Sequence, residues 1–301
     1  MNAPARRLGA ALLILLLTAL PALAPAETMI SYENRASFPA GAEYIDFGSV
    51  RVTDFDRLPA FLKKFPNLKR VDMFESPIAA RRANALHDAC PDIKFGWTLR
   101  ITSRDHHEHR VRTDATAFST LHNNRTAEHT DEELSVLRFC TELKALDIGH
   151  NAATNVDFLY SMPKLRVLII ALNRITDITP VASPTRLEYL EMFRNRVKDL
   201  SPLSKLKNLK DLNICYNSVT NVKPLRSLKN LERLWLNHAA FYRYGVPADL
   251  PEKTVNQLRE ALPGTKINET SSPTAGGWRT HPRYEVIERM FRLSKYIPFS
   301  D

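Results

Sequence analysis

The sequence predicts an α/β solenoid, right-handed and curved, with a parallel sheet on its concave face and a cap at each end. Three observations carry this expectation. Leu143, Leu165, Leu187, Leu209 and Leu231 recur every 22 residues without a slip, each followed three places on by Leu146, Leu168, Leu190, Leu212 or Leu234, and then by Ile148, Ile170, Met192, Ile214 or Leu236. An asparagine column, Asn151, Asn173, Asn195 and Asn217, comes next and is broken only by Ala239. Pro180, Pro202 and Pro224 share one slot, ringed by single apolar residues such as Ile178, Val181 and Leu203. A fixed period in this range is the signature of stacked repeats.

Each column has a physical reason. In a short strand alternate side chains face opposite ways, so the Leu and Ile positions enter the coil and the residues between them point out. A buried Asn amide both donates and accepts, which suits backbone groups left unpaired at a turn. The Pro slot favours an extended or 3₁₀ return path over a full helix. One coil cannot bury its apolar face alone; a stack forms one continuous core. The phrase LxxLxIxxN over residues 143–241 resembles a leucine-rich repeat of the short bacterial type found in internalins, with a weaker match reaching back to about residue 65. The resemblance implies the leucine-rich repeat fold.

From the start of the chain, residues 1–26 read as an export leader: Arg6 and Arg7, an apolar run from Leu8 to Leu20, and small residues Ala24-Pro25-Ala26 before Glu27. The run falls short of the roughly 20 apolar residues a membrane span needs. No Cys stands at the cleavage point and no wall-sorting motif ends the chain. The expected product is therefore secreted or periplasmic, monomeric, and without a lipid or wall anchor. Its loss of Arg6 and Arg7 leaves 40 of the 42 basic side chains against 33 acidic ones.

Residues 27–64 form the expected N-terminal cap, with a strand at Tyr44–Phe47 and a helix over Phe55–Lys64. Residues 65–142 are irregular leading repeats: Leu68, Val71 and Met73 open one, and Ala79–Ala89, free of Pro and Gly, should be helical. Ile93, Phe95, Trp97, Leu99 and Ile101 alternate as a strand, and Val111–Leu121 reads as a second strand across a projecting hairpin. Thr130 with Glu133 is a capping box. Residues 242–301 form the expected C-terminal cap, with a helix over Thr254–Leu262, a strand at Lys266–Asn268, and a tail from Gly276-Gly277-Trp278-Arg279 into a helix through Met290 and Phe291. This tail resembles a segment found on uncharacterised bacterial leucine-rich repeat proteins, and is expected to cover the last coil.

The three cysteines carry no expected chemistry. Cys90 and Cys140 occupy a core column, and an intervening coil at roughly 4.8 Å per strand would hold them about 10 Å apart, beyond the roughly 7 Å a disulfide tolerates. Cys215 sits at an outward strand position.

Function is expected on the outward strand positions of the concave sheet: Asp147, His150, Tyr189, Glu191, Phe193, Arg194, Asp211, Asn213, Tyr216, Arg233, Trp235 and His238. Aromatic residues and Arg are enriched in binding hot spots, and large aromatics are costly to leave exposed. The expectation is a non-catalytic protein that binds a protein or peptide partner there, so that Trp235→Ala or Tyr189→Ala weakens binding without lowering stability. Two alternatives stand beside it. Basic side chains at Lys144, Arg166, Lys210, Lys205, Lys207, Arg226 and Lys229 could hold an acidic cell-surface polymer. The run His106-His107-Glu108-His109 could bind a metal in a metal-dependent enzyme, although its spacing is poor. No GxSxG, CxxC or Gly-rich phosphate loop occurs, no cofactor is implied, and nucleic acid is not expected of an exported chain without base-reading elements. Asn124-Arg125-Thr126 and Asn268-Glu269-Thr270 match glycosylation acceptors.

Overall fold

The computed structural model describes residues 28–104, 106–121, 128–219, 221–243 and 246–299. The leader, Asp105 and the acceptor sequence at Asn124 lie outside them.

The chain begins with an antiparallel hairpin, β1 (Met29–Tyr32) and β2 (Ala36–Pro39). Its rings pack edge-on with those of the next segment: Tyr32 on Phe61 at 5.0 Å and Phe38 on Phe47 at 5.2 Å between centroids. Strand β3 (Tyr44–Asp46) and helix α1 (Leu58–Leu62) follow, then β4 (Arg70–Ala79), α2 (Ala80–Ala89), β5 (Lys94–Thr102) and β6 (Glu108–Arg112). Strands β3, β4 and β5 are parallel, and β6 closes this sheet antiparallel to β5. The expected strand over Val111–Leu121 is divided. The chain turns at Arg112–Ala115, where Ala115 N–H donates to Arg112 O and Arg112 pairs with Asp114, so the second half becomes β7 (Ala117–Ser119) and starts a second sheet.

Helix α3 (Asp131–Leu134) opens on the expected capping box. Glu133 N–H donates to the Thr130 hydroxyl, and Thr130 N–H donates to the Glu133 carboxylate. The regular coils contribute β8 (Ala145–Asp147), β9 (Val167–Ile169), β10 (Tyr189–Glu191), β11 (Asp211–Asn213) and β12 (Arg233–Trp235). Their return paths are short 3₁₀ turns at Asp157–Ser161, Thr179–Ala182, Ser201–Lys205 and Lys223–Ser227, the later three carrying the Pro slot. After a hairpin of β13 (Ala240–Arg243) and β14 (Val246–Ala248), helix α4 (Glu252–Ala261) packs on the last 3₁₀ turn and β15 (Lys266–Asn268) joins the sheet beside β12; helix α5 (Pro282–Arg292) ends the chain.

The second sheet runs β7, β8, β9, β10, β11, β12, β15, every neighbour parallel. The period fixes the register: Leu168 faces Leu190, Leu190 faces Leu212, and Leu212 faces Leu234. The Asn column stitches coil to coil. The Asn173 amide donates to Ile170 O in its own coil and to Ile148 O in the coil before, and its oxygen accepts from Ala153 N–H; Asn195 repeats the pattern one coil on.

Candidate functional site

The residue preceding each Asn, or Ala239 in the fifth coil, leaves its strand at positive φ: His150, Leu172, Arg194, Tyr216 and His238 lie between 49° and 60°. This left-handed step separates two surfaces made by the same coil. Residues before it lie on the concave sheet; residues after it lie along the turn edge.

The concave sheet is not open to solvent. Tyr189, Glu191, Asp211, Asn213, Cys215 and Trp235 are completely buried, and Asp147, Phe193 and Arg233 nearly so. The cover is the chain's own tail. Gly276 and Gly277, at φ of 65° and 94°, turn it onto the sheet, where a Cβ at Gly276 would lie 2.3 Å from Ser271 Oγ. Trp278 then inserts between Tyr189 and Trp235, with ring centroids 5.4 and 5.3 Å away and the Arg233 guanidinium 4.7 Å above its ring. Helix α5 lays Tyr284, Ile287 and Met290 along the sheet, and Tyr296 N–H donates to Thr116 Oγ1 beside β7. The tail therefore crosses the concave face from the last coil back to the first strand of the sheet, whereas the sequence reading placed it over the end of the stack. The reason is composition: the outward positions include the aromatic Tyr189 and Trp235 and the acidic Glu191 and Asp211, and the tail supplies the complementary ring of Trp278 and the cations of Arg279 and Arg283. The expectation that Tyr189 and Trp235 stand free, with no part in stability, is corrected on the same ground.

Two of the buried carboxylates, Glu191 and Asp211, are matched by arginines. Glu191 accepts from Tyr189 Oη at 2.7 Å and Trp278 Nε1 at 2.7 Å, and pairs with Arg279. Asp211 pairs with Arg233 in the neighbouring strand and with Arg283 at 2.8 Å. Asn213 donates to Pro273 O, and the Trp235 indole N–H donates to Ala275 O. Among the described residues no arginine pairs directly with Asp147, which accepts from Gly149 N–H at 2.8 Å and the Ser119 hydroxyl at 3.1 Å. Burial pushes its carboxyl up to about 6, opposed by the Gly149 bond and aided by the charge of Glu191. Burial also raises the Tyr189 phenol well above its ordinary value and pushes the Cys215 thiol up to about 12. Cys215 is thus inert and covered, against its expected outward exposure.

Beyond the left-handed step the surface is open. Of the expected partner-binding residues, Arg194 is exposed and His150, Tyr216 and His238 are half-buried. His238 is held by Asp249, whose carboxylate lies 3.1 Å from Nδ1, and its ring meets Tyr216 edge-on at 5.0 Å. Burial and the nearby Arg279 lower the His150 pKa. Here a cleft of about 790 Å³ opens between neighbouring coils, lined by Arg174, Arg194, Arg196, Lys198, Asn173, Asn195, Thr176, Tyr216 and Ser218. Arg194 lies over the Tyr216 ring at 5.3 Å. Sequence reasoning missed Arg174, Arg196 and Lys198, although their position in consecutive repeats, two and four residues past the left-handed step, was a readable signal. It also missed Trp278, Arg279 and Arg283 as partners of the acidic row.

The other candidates disperse. In β6, Glu108 is held between Arg100 and Arg110 at 2.6 Å each, while His109 turns its Nδ1 to within 3.0 Å of His129 Nε2. Among the described residues no group of three or more His, Cys, Asp or Glu is placed to hold a metal. The basic flanks are largely engaged: Arg166 pairs with Glu188, Lys229 donates to Ala261 O, Arg226 to Gln257, and Lys207 to Ser227 O. All three cysteines are free and buried. Among the described residues no helix is long and apolar enough to cross a membrane.

The chain folds as a leucine-rich repeat solenoid. No family model and no curated protein matches it. Similar solved structures include the internalin InlF of Listeria monocytogenes, at 20% identity over 72% of this chain and 67% of that one, with a TM-score of 0.44. Internalin C2 of the same organism gives 22% identity, 72% and 70% coverage, and a TM-score of 0.36. A leucine-rich repeat protein of Leptospira interrogans gives 19% identity, and this chain spans 50% of its length, with a TM-score of 0.43.

Proposed function

We propose that this is an exported, non-catalytic bacterial binding protein that docks a protein or peptide partner on the turn edge of its solenoid, with the concave face held shut by its own tail. The observation that carries this reading is the contrast in exposure. The aromatic and charged concave positions are satisfied within the chain, while Arg194, Tyr216 and the cleft beside them remain open across several coils. A rigid stacked scaffold presenting side chains in register gives a partner an extended surface with little ordering cost. Export rests on the leader-like pattern at residues 1–26.

The test is partner capture with the mature chain on two immobilised forms, wild type and Arg194→Ala/Tyr216→Ala. A protein retained by the wild type and lost from the variant, at unchanged melting temperature, is the expected result. Equal retention by both forms, or retention of nothing, would overturn the reading.

A further inference from the structure

We propose that the cleft at Arg174, Arg194 and Arg196 is a binding site for an acidic peptide segment, recognised through its carboxylates. The inference rests on the reading of this chain as a protein-binding scaffold and names the chemistry of the partner.

The first ground is unpaired charge. Among the described residues, Arg174, Arg194 and Arg196 have no carboxylate within ion-pair distance, whereas Arg166, Arg233, Arg279 and Arg283 each do. The nearest acids in sequence are turned away into their own coils. Asp177 accepts from Thr179 N–H at 2.8 Å and Asp199 from Ser201 N–H at 2.8 Å, each also taking the hydroxyl of that residue. Three guanidinium groups thus line one cleft with little local compensation.

The second ground is what the walls withhold. Asn173 and Asn195 line the cleft, but their amides and oxygens are committed to backbone groups of adjoining coils. The polar side-chain groups left to a ligand are the guanidinium groups of Arg174, Arg194 and Arg196 and the hydroxyls of Thr176, Tyr216 and Ser218. Such a wall donates far more than it accepts. Sugar hydroxyls need acceptors as well as donors, so a polysaccharide would leave bonds unmade; carboxylates are acceptors alone and match the planar Arg fork two bonds at a time.

The third ground is spacing. Arg174 and Arg196 hold equivalent places in successive coils, about 4.8 Å apart at the backbone, and Arg194 projects beside Arg196. The cations therefore form a short ladder along the solenoid axis, which fits an extended chain with several acidic side chains better than a single small anion.

The experiment is calorimetric titration of the mature chain with a short poly-L-glutamate peptide and, separately, with oligogalacturonate of equal charge. Wild type is compared with Arg174→Glu/Arg196→Glu and with a control, Lys205→Glu/Lys207→Glu, that removes as much positive charge on the return side. The expected result is salt-sensitive binding of poly-L-glutamate, weakened about tenfold or more by the cleft variant and little by the control, with weaker binding of oligogalacturonate. Equal loss in both variants would show general attraction to a basic protein and overturn the proposal. So would tighter binding of the glycan, or no binding of the peptide. Because the probe is synthetic, its failure beside retained partner capture would overturn the acidic specificity and leave the scaffold reading standing.

Discussion

Glu191 and Arg194 stand three residues apart in one coil and meet opposite fates. Glu191 is sealed beneath the tail with an indole, a phenol and a guanidinium against it; Arg194 lies open over Tyr216. A weaker form of the contrast holds at Asp211 against Tyr216 and at Trp235 against His238, since Tyr216 and His238 are half-buried. On one side of the left-handed step charge and aromatic surface are consumed within the molecule, and on the other they are offered. Hot-spot composition marks an interface, but it does not say whether the partner is another chain or a distant part of the same one.

The largest expected effect breaks the closed side. Trp278→Ala empties a wholly buried site between Tyr189 and Trp235, and should lower unfolding free energy by about 3–5 kcal/mol in urea denaturation. Trp235→Ala should behave alike. A loss under about 1 kcal/mol for both would mean that the tail rests loosely on the sheet. Next is Arg279→Ala, which leaves the Glu191 carboxylate buried without its cation. Such a change costs about 3 kcal/mol, and adding Glu191→Gln to it should recover part of the loss. If the double variant is no better than the single one, the pair is not what matters there.

A pH series sharpens the same side. The folded-state pKa of Asp147, about 6, lies above the ordinary 3.8, so the native state holds this proton more tightly than the unfolded chain. Its contribution to stability is full below about pH 4 and is lost as pH rises through 6. Asp147→Asn, which keeps an acceptor without a charge, should be more stable than wild type at pH 7.5, by at most about 3 kcal/mol, and should converge with it near pH 4. Curves that run parallel across the range would show that burial does not perturb this carboxyl.

The repeat was legible because it is written many times over. The columns at Leu168, Leu190, Leu212 and Leu234 name the register directly, the Asn column names the turn, and the Pro slot names the 3₁₀ return. Single-copy features were legible only where local chemistry decides, as at the Thr130 capping box. What the sequence left open is the long-range pairing of Trp278 with residues 87 positions earlier, because no periodicity links the tail to the sheet. The unmatched acids Glu191 and Asp211 and the tail cations Arg279 and Arg283 were a usable clue, since outward carboxylates on a sheet that becomes covered require cations from the cover. The break between β6 and β7 went unseen for a related reason: Val111 to Leu121 keeps an alternating pattern across a turn that Arg112 and Asp114 close.

The smallest expected effect on stability belongs to the open side and separates it from the closed one. Arg174 and Arg196 are exposed and, among the described residues, bear no ion pair. Their joint reversal, Arg174→Glu/Arg196→Glu, should therefore change unfolding free energy by no more than about 0.5 kcal/mol, measured in the same denaturation series as Trp278→Ala. A loss of several kcal/mol on reversal would mean that these arginines are structural, and would move the turn edge into the same class as the sheet beneath the tail.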